Sequence, residues 1–70
     1  NLTGEEFLYF MGELSDLTRP QIRHEINRWS DRFKISYALK RELKTYSKGM
    51  LQRIGFLAAI LHGPKLIILD

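Results

Sequence analysis

Two places in this 70-residue chain hold residue types that their local structure does not require. The first is Ser47-Lys48-Gly49-Met50, where a helix opens. Its first turn has a cation and a glycine and no acid. A cation at the positive end of a helix costs about 0.3–1 kcal/mol, and glycine costs about 0.8–1 kcal/mol relative to alanine. A docked anion would offset both. Free backbone N–H groups, the Ser47 hydroxyl and the Lys48 ammonium would converge on it, and Gly49 would let it approach closely. The competing reading is an ordinary capped helix with a surface lysine.

The second place is Asp70, directly after Leu66-Ile67-Ile68-Leu69. Four apolar residues without alternation read as a strand buried on both faces, the parallel-sheet type. An acid at the carboxyl end of such a strand stands where open α/β sheets bind ligands. It can hold Mg2+, directly or through water, beside a phosphate chain. The competing reading is that Asp70 caps the next loop or helix.

The elements between them would bring the two places together. A helix of roughly 15 residues from Ser47 runs about 22 Å. After a tight Gly63-Pro64 turn, a strand returns about 16 Å. Ser47 and Asp70 then face the same side. A lone strand has no hydrogen-bonding partner, so the rest of its sheet is expected outside these residues. The chain, which opens at Asn1 and stops after an apolar run, reads as a piece of a larger protein.

Two further helices precede the Ser47 helix. Thr3 with Glu6, and Thr18 with Gln21, have the spacing of capping boxes, and Pro20 is tolerated in a first turn. Phe7, Phe10, Met11, Leu14 and Leu17 are the expected core face of the first helix. Ile22, Ile26, Trp29 and Phe33 are that of the second, with Trp29 in the core. Residues 34–45 read as a short helical turn around Tyr37–Leu43, with Leu39 and Leu43 inward. In the third helix Leu51, Ile54, Ala58 and Leu61 form the stripe, and Gly63 and Pro64 end it.

Composition narrows the function classes. Cysteine is absent, which excludes disulfide scaffolds and thiolate chemistry. Residues 1–18 carry −4, residues 19–53 carry +7 and the remainder is neutral, giving the net +3. The basic stretch invites a nucleic-acid reading, but its bases spread around the second helix, so a solvated face is the simpler account. A purely structural or protein-binding helical module leaves Lys48-Gly49 and the buried strand unexplained.

Tyr46-Ser47-Lys48-Gly49-Met50-Leu51-Gln52-Arg53, followed by Gly63-Pro64-Lys65 and the Leu66–Asp70 run, resembles the ATP-binding cassette (ABC) transporter ATPase family. Ser47, Gly49, Gln52 and Arg53 match the family's LSGGQ signature and its trailing Gln-Arg pair. Tyr46, Lys48 and Met50 replace Leu, Gly and Gln, a pattern similar to exporter-type members. The apolar run and Asp70 resemble the Walker B strand.

The resemblance implies an α/β P-loop NTPase, of which this part is mainly α: three helices and a short turn, then one strand of a parallel sheet. Residues 1–45 would be the helical subdomain, 46–62 the signature motif and its helix, and 63–70 the turn and Walker B strand. Ser47, Lys48, Gly49 and Met50 would meet the γ-phosphate of ATP held by a second ATPase subunit in a head-to-tail dimer. Asp70 would help hold Mg2+. A transmembrane permease would be the other partner, at the cytoplasmic face of a membrane, with no nucleic acid. The expected activity is ATP hydrolysis coupled to transport across a membrane, of exporter type. The alternative is a basic helical nucleic-acid-binding or protein-interaction module without enzymatic activity. No P-loop and no catalytic glutamate occurs within the chain, and neither His24 nor His62 stands where the family's switch histidine belongs. The 70 residues alone are therefore expected not to hydrolyse ATP.

Overall fold

The computed structural model describes residues 1–63. In order they form α1 (Gly4–Leu14), α2 (Arg19–Trp29), single 3-10 turns at Ser36–Ala38 and Leu43–Thr45, and α3 (Lys48–His62). The strand expected at 66–69, and Asp70 with it, lie outside the described residues. Among the described residues no helix is long and apolar enough to cross a membrane.

The helix starts form as their sequences dictate. Thr3 Oγ1 accepts from the Glu6 N–H at 3.1 Å, and Glu6 Oε1 accepts from the Thr3 N–H at 2.9 Å. Thr18 and Gln21 repeat the exchange at 3.3 and 2.8 Å. α1 stops at Leu14 because the chain turns through Asp16, whose φ is +64°. Leu17 therefore lies beyond the helix rather than on its stripe.

The buried face of α1 is not the aromatic one. Leu8 is fully buried, between Gly4 and Gly12, whereas Phe10 is 53% and Leu14 60% exposed. Phe7 and Met11 pack only against the core's edge. The cause is backbone approach. A Cβ on Gly12 would stand 2.6 Å from Ile22 Cγ1, and one on Gly4 would overlap the Tyr46 hydroxyl. Two glycines one turn either side of Leu8 let α1 sit closer to its neighbours than large side chains allow. That close seat decides which face turns inward.

On α2, Ile22 and Ile26 enter the core as expected, but Trp29 and Phe33 stay at its rim. α2 ends at Trp29, so the following turn carries Phe33. Trp29 donates from Nε1 to Glu25 Oε1 at 2.9 Å, and the guanidinium groups of Arg28 and Arg32 each lie 5.2 Å from its ring centroid. A polar indole edge and two cations suit a half-wet position. The turn after α2 passes through Lys34 at φ +55°. An L-residue there costs about 1–2 kcal/mol. Lys34→Gly should raise the urea midpoint of the full-length protein by the equivalent of about 0.5–1 kcal/mol, once the extra freedom of the unfolded glycine is discounted. An unchanged midpoint would mean that the lysine stem compensates the strain.

The connector departs from the expected single helical turn. It is two 3-10 turns, with Ile35 and Ala38 fully buried, Leu39 and Leu43 half-buried, and Tyr37 exposed. Its backbone is spoken for by α1. The Gly4 and Glu5 N–H groups donate to the Arg41 and Leu39 carbonyls at 3.1 and 2.9 Å, and the Leu43 N–H donates to the Leu2 carbonyl at 2.8 Å. Thr3 and Glu42 thus form an isolated antiparallel bridge. The bonds from Gly4 and Glu5 satisfy the first amides of α1, which have no partners within the helix. A continuous helix through residues 37–43 would not offer those carbonyls sideways.

α3 lies against both other helices. Met50, Ile54, Leu57, Ala58 and Leu61 are buried, while Leu51, expected inward, is 48% exposed. The stripe keeps Ile54, Ala58 and Leu61 and widens on the side away from Leu51, where Met50 and Leu57 lie beside Leu61 on the helix face. Gly63, at φ +112°, ends the helix as expected and donates its N–H to the Ala59 carbonyl at 3.1 Å. Nearby, His62 Nδ1 lies 3.0 Å from Ser15 Oγ, joining the end of α3 to the loop after α1.

Candidate functional site

The start of α3 is held from both sides by buried residues. Tyr46, just before the cap, is buried, and its hydroxyl donates to the Ala38 carbonyl at 2.6 Å. Burial, the larger cause, pushes the Tyr46 phenol above its ordinary value. Arg41 pulls it back and Tyr37 adds to the rise. The neutral hydroxyl is thus the favoured form. The stability it brings is intact below the unfolded phenol's pKa and is lost as pH rises through the folded one. After the cap, Met50 is buried as well, and its Sδ accepts from the Ser47 N–H at 3.4 Å. The Met50 N–H donates to Ser47 Oγ at 3.2 Å. This is a capping box with a thioether in the place usually taken by Glu or Gln.

The consequence for Ser47, Lys48 and Gly49 is exposure on a fixed frame. All three are exposed, and among the described residues nothing lies within 4 Å of where a Cβ on Gly49 would stand. The amides of Lys48 and Gly49 are first-turn groups without intrahelical acceptors. The Ser47 oxygen accepts one hydrogen bond, and among the described residues its own proton has no acceptor. The surroundings are cationic: Lys48 is in the turn, and Arg41 Nη2 donates to the Thr45 carbonyl at 3.1 Å. Lys44 is matched to Glu42 at 3.4 Å. This donor set fits an oxyanion. Met50 differs from its three neighbours, since its side chain faces the core and its amide is already committed to Ser47. Its place is beneath the site, where it fixes the cap.

The sequence reading placed Ser47, Lys48 and Gly49 together, and here they share one exposed turn. Asp70 lies outside the described residues, as does its relation to that turn. Among the described residues no group of three or more His, Asp or Glu could hold a metal ion. The anchor made by Gly4 and Tyr46 escaped the sequence reading. A glycine in the first turn of a helix is unremarkable as a letter, and only packing shows that its missing Cβ makes room for a ring 42 positions on.

Comparison with known proteins gives the frame. The family model for ABC transporter matches residues 1–70. The chain is 38% identical over 69 residues to the uncharacterized ABC transporter ATP-binding protein YxlF of Bacillus subtilis, covering 99% of this chain and 23% of that protein. It is 34% identical over 65 residues to the uncharacterized ABC transporter ATP-binding protein MJ1023 of Methanocaldococcus jannaschii, covering 93% and 25%. It is 33% identical over 69 residues to the ABC transporter ATP-binding protein NatA of Bacillus subtilis, covering 99% and 28%. The chain thus spans about a quarter of the length of the curated relatives it matches. No solved structure gives a significant match. With a family model covering every residue, the chain belongs to the ABC transporter family.

Proposed function

We propose that the protein containing this chain is the nucleotide-binding subunit of an ABC transporter, coupling ATP binding and hydrolysis to transport, of exporter type. On this reading the P-loop NTPase fold is completed by the rest of the polypeptide. Residues 1–45 serve as its helical subdomain, 46–62 as the signature motif and helix, and 63–70 as the turn and Walker B strand. Ser47, Lys48 and Gly49 receive the γ-phosphate of ATP held by a second subunit, and Met50 holds the cap beneath them. Asp70 helps to hold Mg2+, directly or through water. α1, α2 and the connector face a transmembrane partner at the cytoplasmic side of a membrane.

One observation carries the reading: an exposed, acid-free first turn in α3 whose Ser47 hydroxyl proton and Lys48 and Gly49 amides have no acceptor among the described residues. ATP supplies the charge that these groups meet. The chain's own residues supply position and preorganised donors, the kind of contribution that stabilises charge developing on a transferring phosphoryl group. Exporter type is supported by Lys48 and Met50, the departures from the LSGGQ consensus.

Light scattering on the full-length protein tests this. The non-hydrolysable analogue adenylyl imidodiphosphate with Mg2+ should convert monomer to dimer. Ser47→Ala, which loses a hydrogen bond to a charged group, should weaken that dimer at least about tenfold. A dimer that forms equally well without nucleotide, or that ignores Ser47→Ala, would contradict the reading.

A further inference from the structure

We infer that the groove between α1 and α2 docks an acidic polypeptide segment of a partner protein, a Glu or Asp side chain with an apolar neighbour. This gives the contact chemistry of the membrane partner proposed above, and so rests on that partner, but it uses none of the residues of the phosphate site.

The groove is a cavity of about 290 Å³ whose walls include Glu5 and Tyr9 from α1, Arg19, Arg23 and Asn27 from α2, and Lys40 from the connector. Ile26, almost wholly buried, closes it at the bottom. Two of its cations are already matched. Arg19 Nη1 lies 3.1 Å from Glu13 Oε2, with its guanidinium 4.3 Å from the Tyr9 ring centroid. Lys40 Nζ lies 3.6 Å from Glu5 Oε1. Arg23 has no ion-pair partner among the described residues. One unmatched guanidinium beside the Asn27 amide suits a monoanion that can take a two-pronged hydrogen bond, which describes a carboxylate.

A second cavity of about 440 Å³ adjoins the first and shares Arg19, Arg23 and Asn27 with it. Pro20 and His24 complete it, and its surface is mainly apolar. A polar pocket and an apolar one side by side along a helix match successive side chains of a polypeptide. A lipid headgroup would instead present its phosphate and its apolar part at different depths. Electrostatic matching of this kind sets orientation and register more than raw affinity.

The experiment is fluorescence polarisation on the full-length protein, with a labelled peptide Ala-Leu-Glu-Glu-Leu-Ala-Glu-Ala and a twin carrying Gln for each Glu. The acidic peptide should bind saturably, and the Gln twin should not compete. Arg23→Glu and Lys40→Glu should each weaken binding about five- to tenfold. Arg32→Glu, the same charge change outside the groove, should leave it unaltered. Gly49→Asp, which tests the phosphate site, should leave it unaltered too, so the two readings fail separately. Four results would overturn the groove assignment: no saturable binding, equal loss with Arg32→Glu, displacement by inorganic phosphate at the peptide's own concentration, or Arg23-dependent capture by phosphatidylglycerol vesicles in preference to the peptide.

Discussion

Gly49→Asp in the full-length protein should lower the ATPase rate at least about a hundredfold while leaving the fold as stable as before, or more so. The two halves of that expectation have separate causes. Among the described residues the substituted Cβ would meet no atom within 4 Å, so no packing there resists it. Replacing glycine inside a helix recovers up to about 1 kcal/mol, and an acid in the first turn adds about 0.3–1 kcal/mol. On stability alone Gly49 is a poor choice and aspartate a better one. Catalysis reverses the sign. A carboxylate at this turn would set a negative charge among the converging donors and against the γ-phosphate of the proposed contact, and removing even one such donor elsewhere costs about a hundredfold or more. Gly49→Ala should fall between, with higher stability and a smaller loss of rate. Binding of ATP to the isolated subunit should be unchanged in both variants, because the proposed contact is made to nucleotide held by the other subunit. Thermal unfolding and steady-state turnover, measured on one preparation, check both halves. Near-normal turnover in Gly49→Asp would remove the role assigned to α3.

The same contrast explains what could be read from the letters. Capping residues act within a few positions, so Thr3 with Glu6, Thr18 with Gln21, Ser47 and Gly63 were all legible, and each forms as its spacing predicts. The exposed turn at Ser47 was legible for the same reason: its costs are local, and no local term offsets them. The inward face of α1 was not. Periodicity counts apolar side chains, and it ranks Phe10 and Leu14 above two glycines. Packing instead rewards close approach, which puts Gly4, Leu8 and Gly12 inside and leaves Phe10 and Leu14 out. Met50 has a part that its letter does not display. As a letter it stands in a phosphate-binding motif, whereas its side chain belongs to the core beneath. The connector was illegible because its shape answers the unpaired amides of α1, almost 40 residues earlier in the chain.

Gly4→Ala is expected to produce the largest loss of stability, and to reach the proposed phosphate site through Tyr46. The new methyl would overlap the Tyr46 hydroxyl and stand 3.0 Å from Cζ and 3.5 Å from Ile54 Cδ1. The ring must withdraw, which breaks the 2.6 Å hydrogen bond to the Ala38 carbonyl. Overpacking costs about 1–3 kcal/mol. The Ala38 carbonyl keeps the Arg41 N–H at 3.0 Å, but the buried Tyr46 hydroxyl loses its acceptor, which costs about 1–3 kcal/mol. Their sum is comparable with the whole stability of a marginal domain. Because Tyr46 precedes Ser47, a displaced ring also moves the cap, so turnover per folded molecule should fall. Gly12→Ala makes a comparable clash with Ile22, far from Ser47 along the same helix. It should destabilise too, yet leave turnover per folded molecule near normal at a temperature where the protein stays folded. Tyr46→Leu removes the obstructing end of the ring. Introduced into Gly4→Ala it should restore part of the lost stability, so that the double variant loses less than the two single losses combined, by about 1 kcal/mol or more. If the two losses simply add, Gly4 and Tyr46 are not packed against each other in solution. The start of α3 must then be held by Met50 and the connector alone.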